Sequence, residues 1–137
     1  MPLNSRSPAR RILIADDDPI IRHMVTRFVE REGCQPIVVE DGAAAYRLLQ
    51  SDANFSGAIF DMVMPHLEGI ELMRFMRSEK RLMRIPVMMI TSETDLKLMA
   101  NSFAAGVTIF LPKPFTTEQF QSTFRLLLNQ QPEKLCQ

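Results

Sequence analysis

Five short apolar runs punctuate the chain, and helical periodicity follows each of them. They are RILIA (11–15), PIVVE (36–40), GAIF (57–60), IPVMMIT (85–91) and VTIFL (107–111). The inner runs are apolar nearly throughout, without the in–out alternation of a strand wetted on one side. Parallel strands covered by helices on both faces read this way. A β–α unit repeated five times with right-handed crossovers predicts an α/β doubly wound sandwich, with a five-stranded parallel sheet and five helices.

The intervening segments carry helix signals. After the first run Pro19 suits a first helical turn, Ile21, Met24, Val25, Phe28 and Val29 keep helical spacing, and Gly33 supplies a stop. GAAAYRLLQ (42–50) and IELMRFMRS (70–78) read as the second and third helices. A fourth runs through Ala105 to Gly106, and its stripe of Leu96, Met99, Ala100, Phe103 and Ala104 is expected to face the sheet, leaving Leu98 exposed. The last starts near Thr116 and groups Phe120, Phe124, Leu127 and Leu128 on one face, with Leu126 off that stripe.

At 137 residues, 46% of them apolar, the chain is long enough for one domain with a real core. Residues 1–10 read as a flexible N-terminal segment, 11–128 as the domain, and 129–137 as a polar tail or the start of a linker. Sixteen basic residues balance sixteen acidic ones, which gives no sign of a surface for nucleic acid or membrane. Neither a membrane-spanning run nor a signal core is present, so a cytoplasmic location is expected, with Cys34 and Cys136 as reduced thiols. The ten methionines read as adaptable core filler, His23 as a helix-surface residue and His66 as a loop residue.

In doubly wound sheets ligands bind outside the carboxyl ends of the strands. Those ends deliver Asp16, Asp17 and Asp18 from the first run, Asp61 from the third, Thr91 and Ser92 from the fourth, and Lys113 from the fifth. Glu40 and Asp41, after the second, read as a loop acid and a helix cap. Any one of these is ordinary; together they are chemically complete. Carboxylates about 5 Å apart repel by roughly 3 kcal/mol at an effective dielectric of 20, so three of them call for a cation. An all-oxygen set suits Mg²⁺. A hydroxyl and an ammonium opposite the acids could hold a phosphoryl group, and a carboxylate can be its nucleophilic acceptor.

The segments ILIADDDP, FDMVMPHLEGIEL, VMMITS and FLPKPF, in this order and spacing, resemble the receiver domain of two-component response regulators. The resemblance runs from about Arg11 to Leu128. It implies a flavodoxin-like sheet of order 2-1-3-4-5 and a phosphoacceptor signalling switch that catalyses only its own phosphorylation and dephosphorylation. Asp61 would be the phosphoacceptor. Asp17, Asp61 and the Val63 backbone carbonyl would ligate Mg²⁺, with Asp16 acting mainly through a water on the ion. Thr91 would hydrogen-bond the phosphoryl group, Lys113 would pair with it, and Phe110 would be the aromatic switch. The Lys113–Pro114 bond would be cis. The implied donor is a histidine kinase or histidine phosphotransfer protein. The implied output is a downstream protein or self-association through the face of the fourth helix, fifth strand and fifth helix, with no nucleic acid bound directly.

Three departures are visible: Phe110 stands where the family often has Tyr, Glu68 precedes Gly69 where Asp is usual, and Pro112 precedes Lys113, removing a backbone donor and stiffening the approach to the lysine. Three rival functions compete with this reading. A Mg²⁺-dependent phosphohydrolase resembling haloacid dehalogenases needs a second Asp two residues after the nucleophile, where this chain has Val63. A flavodoxin-like cofactor binder needs a phosphate loop after the first strand, where this chain has acids. An interaction module that works without phosphorylation is the remaining alternative.

Overall fold

The computed structural model describes residues 9–92 and 96–130, and for Leu96 and Leu98 the backbone alone. Ten elements alternate: β1 (Arg11–Ala15), α1 (Pro19–Arg31), β2 (Gln35–Val39), α2 (Gly42–Leu49), β3 (Gly57–Asp61), α3 (Gly69–Ser78), β4 (Val87–Thr91), α4 (Leu96–Ala104), β5 (Ile109–Pro112) and α5 (Thr117–Leu128). All strand pairs are parallel, in the order β2-β1-β3-β4-β5. The sandwich and its strand order are as expected. Most of the 1–10 and 129–137 segments, and Cys136, lie outside the described residues.

Two cores follow from strand alternation. On one face Leu13, Ala15, Ala58, Phe60 and Met89 pack against Ala45 and Leu49 of α2 and Leu72, Met73 and Met76 of α3. On the other Ile12, Ile14, Ile59, Met88 and Ile90 meet Val25, Phe28 and Val29 of α1 and Phe120, Phe124 and Leu127 of α5. Burial on both faces leaves every residue of β3 and β4 buried, and each large apolar side chain so enclosed stabilises the fold by roughly 1.5–3 kcal/mol. The central strands are therefore rigid mounts for whatever stands at their carboxyl ends.

The helix starts use the expected chemistry. Asp18 accepts from the Ile20 backbone N–H at 2.9 Å to cap α1, and Asp41 accepts from Ala44 N–H at 2.8 Å to cap α2. Gly33, at φ 80, closes α1 in the left-handed region. The phase assigned to α4 needs correction. Phe103 is 52% exposed and Ala100 and Ala104 are exposed, whereas Ser102 is fully buried. The small serine takes the inward position beside the turn into β5, where Val107 N–H bonds its carbonyl. Phe103 instead lies across the surface against Phe110, ring centroids 4.7 Å apart and nearly perpendicular. Leu126 is exposed as expected, and the Leu98 side chain lies outside the described residues.

Candidate functional site

Asp16 follows β1 directly and Asp61 is the last residue of β3, so two adjacent central strands bring their carboxylates side by side. Asp17 completes the group: one oxygen from each of Asp16, Asp17 and Asp61 lies within 4.8 Å of the others. Asp16 and Asp61 are buried and Asp17 is exposed, so the cluster has a wet side and a dry side. From β5, Lys113 reaches across with Nζ 3.5 Å from Asp61 Oδ2. Thr91 ends β4 beside it, almost fully buried. The sequence-predicted set Asp16, Asp17, Asp61, Thr91 and Lys113 thus gathers at one end of the sheet. Asp18 is set apart as the α1 cap. Ser92 is exposed.

Backbone groups fix the geometry. Val63 N–H donates to Asp61 Oδ1 at 3.3 Å, and its side chain is 56% exposed. Asp18 N–H donates to Asp16 Oδ1 at 2.9 Å. Gly69 sits so close to Asp61 that an added Cβ would meet the Asp61 carbonyl at 2.9 Å and Met89 Sδ at 2.7 Å, so the turn into α3 requires glycine. Lys113 N–H donates to the Thr91 carbonyl at 2.7 Å, and the Lys113–Pro114 bond is cis, as the resemblance implied. Two features have no counterpart in the sequence reading. His66 adopts φ 72 in the β3–α3 loop. Met62 reads as core filler, yet its Sδ accepts the Thr91 hydroxyl at 3.5 Å; nothing in the local sequence separates such a methionine from its neighbours.

Among the described residues, Asp16 Oδ2 is a buried side-chain oxygen without a hydrogen-bond partner. An unpartnered buried carboxylate oxygen on one member of a three-carboxylate group is an expensive arrangement on its own and a natural one around a hard cation. The residues therefore fit a divalent metal. Burial pushes the Asp16 carboxyl up to about 7, Asp61 repulsion adds to this, and the Asp18 N–H bond and Lys113 oppose it. The folded-state value exceeds the unfolded one near 3.9, so the folded protein binds the extra proton between them. Stability of the metal-free protein is expected to fall as pH rises from about 4 to about 7, by at most about 4 kcal/mol. Denaturation in chelator across that range, beside Asp16→Asn, checks it. The substitution should flatten the decline, and an equal slope in both would assign it to other groups.

Known proteins share this frame. A family model described as the response regulator receiver domain matches residues 12–125. The chemotaxis protein CheY1 of Helicobacter pylori is 29% identical over 119 residues, which cover 86% of this chain and 96% of that protein. The response regulator MprA of Mycolicibacterium vanbaalenii is 31% identical over 118 residues, 86% of this chain but 50% of MprA. The solved structure of the chemotaxis response regulator CheY4 of Vibrio cholerae matches with a TM-score of 0.81 at 28% identity, covering 87% of this chain and 98% of that one.

Proposed function

Since this chain belongs to the response regulator receiver domain family and is a phosphoacceptor signalling switch, we propose that Asp61 accepts the phosphoryl group and that Asp16, Asp17, Thr91 and Lys113 support the transfer. The observation that carries this reading is the buried Asp61 between an acid pair with an unpartnered oxygen and the Lys113 ammonium. Receiver domains take their phosphoryl group from histidine kinases or phosphotransfer proteins and act on downstream targets.

In the proposed reaction a carboxylate oxygen of Asp61 attacks phosphorus on a donor phosphohistidine. The new O–P bond forms as the N–P bond breaks, and that bond's electron pair returns to the imidazole. Asp61 is left as an acyl phosphate. The Val63 N–H orients the carboxylate, the Lys113 ammonium meets charge on the phosphoryl oxygens, and the Thr91 hydroxyl donates to one of them. Asp16, Asp17, Asp61 and the Val63 carbonyl would hold Mg²⁺, which when bound neutralises phosphoryl charge during transfer. The chain is no enzyme acting on other substrates; this self-phosphorylation, and hydrolysis of the acyl phosphate by water, are the only steps assigned to it.

The test is to incubate the protein with Mg²⁺ and acetyl phosphate and map the product by peptide mass spectrometry. One base-labile phosphoryl group on Asp61 is expected. A group on any other residue, or none, would sink the assignment. The lifetime of that group should depend on Val63. An exposed valine cannot hold an attacking water by hydrogen bonding, whereas an amide could. Val63→Asn is expected to speed dephosphorylation several-fold, followed as phosphate release from the labelled protein. An unchanged or slower rate would count against water positioning. The family resemblance implies that the residues two places after Asp61 and two after Thr91, here Val63 and Glu93, tune this rate; Glu93 lies outside the described residues.

For output, the proposal is that drawing the Thr91 hydroxyl toward Asp61 lets the Phe110 ring turn inward from its place against Phe103. That would reshape the α4–β5–α5 face, on which Leu126 is also exposed. The recipient is a downstream protein or a second copy, and the balanced charge speaks against direct nucleic-acid binding. Residues 11–128 are proposed as the folding unit. Among the described residues no helix is long and apolar enough to cross a membrane, and action in the cytoplasm is proposed.

A further inference from the structure

Met62 lies one residue beyond the phosphoacceptor, and its backbone N–H bonds the Ile90 carbonyl at 2.9 Å, extending the β3–β4 pairing past Asp61. That bond pins the methionine alongside β4, where its side chain is 3% exposed and shares a core with Met64, Met89 and the half-buried Phe110. Within this core the Thr91 hydroxyl, itself 1% exposed, donates to Met62 Sδ at 3.5 Å. A thioether is a weak acceptor, but it is present here at a polar group that must change partners for the switch to operate.

We propose that Met62 is a positioning residue of the switch: its sulfur holds the Thr91 hydroxyl in the resting protein, in competition with the phosphoryl oxygen at Asp61. The inference rests on the reading of Asp61 as phosphoacceptor and adds what stabilises the unphosphorylated state. A ligand shifts a two-state equilibrium only by its differential affinity for the two states. Weakening the resting contact therefore raises apparent affinity for the phosphoryl group. A plain packing role for Met62 would not couple it to Thr91 in this way.

The experiment uses beryllofluoride with Mg²⁺ as a phosphoryl analogue, titrated into the unmodified protein and Met62→Leu. This exchange roughly conserves volume and is tolerated in cores; far-UV circular dichroism verifies folding. The half-saturating concentration should drop about threefold, equivalent to roughly 0.65 kcal/mol. In parallel, the Met62 methyl resonance, assigned by its absence in Met62→Leu, should move in Thr91→Val without any analogue present. Equal half-saturation in the two proteins, or a Met62 methyl that ignores Thr91→Val, would overturn the proposal. If the analogue bound neither protein above an Asp61→Asn blank, the phosphoacceptor reading would fall. The methyl resonance would still decide the resting contact.

Discussion

Asp61→Asn is expected to reduce labelling by acetyl phosphate to background while leaving the protein folded. The carboxamide is nearly isosteric and its oxygen can still accept from the Val63 N–H, which is 3.3 Å from Asp61 Oδ1. It carries no anionic oxygen to attack phosphorus, so the loss should be complete. The electrostatic balance predicts what happens to stability. Above about pH 7, where the Asp16 carboxyl is ionised, the substitution removes two repulsions, toward Asp16 and Asp17, and one attraction, toward Lys113 at 3.5 Å. Each repulsion is of order 3 kcal/mol near 5 Å at an effective dielectric of 20, before screening at the exposed Asp17. The attraction at 3.5 Å is of order 5 kcal/mol on the same scale, less than the two repulsions together, and the lysine side chain's 24% exposure reduces it. Without Mg²⁺ and above about pH 7 the Asn variant should therefore be at least as stable as its parent. Labelling at the parent's rate would move the acceptor elsewhere, and a thermal midpoint several degrees lower would show the repulsion argument wrong.

The strands and the acid constellation were legible because both are local. A buried parallel strand must be a continuous apolar run, and the next residues along the chain must stand at its carboxyl end, so Asp16, Asp61, Thr91 and Lys113 could be placed by counting. The strand order came from the resemblance and not from the pattern, because parallel pairing joins residues far apart in sequence. The phase of α4 was misread for a related reason. Periodicity says which residues share a face, but the neighbour that covers that face is tertiary. Phe103 finds Phe110 sideways, and Ser102 fits where an aromatic could not. The Thr91–Met62 contact and the left-handed His66 leave no local trace. Nor does the role of Arg77, whose partners are backbone carbonyls that any residue could supply.

That arginine should be the largest single contributor to stability among the charged side chains described. It lies on α3 at the margin of the stripe made by Leu72, Met73 and Met76. Its Nη1 donates to the carbonyls of Met83 at 2.8 Å and Ile85 at 2.9 Å. Nη2 and Nε donate to the Gly106 carbonyl at 2.7 and 3.2 Å. One guanidinium thus ties α3 to the segment leading into β4 and to the turn before β5. Gly106 sits at φ 110, where a Cβ would also run into the Arg77 side chain. Bonds from a charged donor contribute about 1.5–3 kcal/mol each, and water can replace those nearest the surface. Arg77→Ala should then cost about 3 kcal/mol and lower the thermal midpoint by about 10 °C. Arg77→Lys should recover less than half of that, because a single ammonium cannot span carbonyls of both segments. The clamp joins the amino ends of β4 and β5, while Asp61 stands at the carboxyl end of the sheet. Labelling of both variants well below their midpoints should therefore match the parent. An unchanged midpoint in Arg77→Ala would mean that water satisfies these carbonyls as well as the guanidinium does, and that α3 is held by its apolar stripe alone.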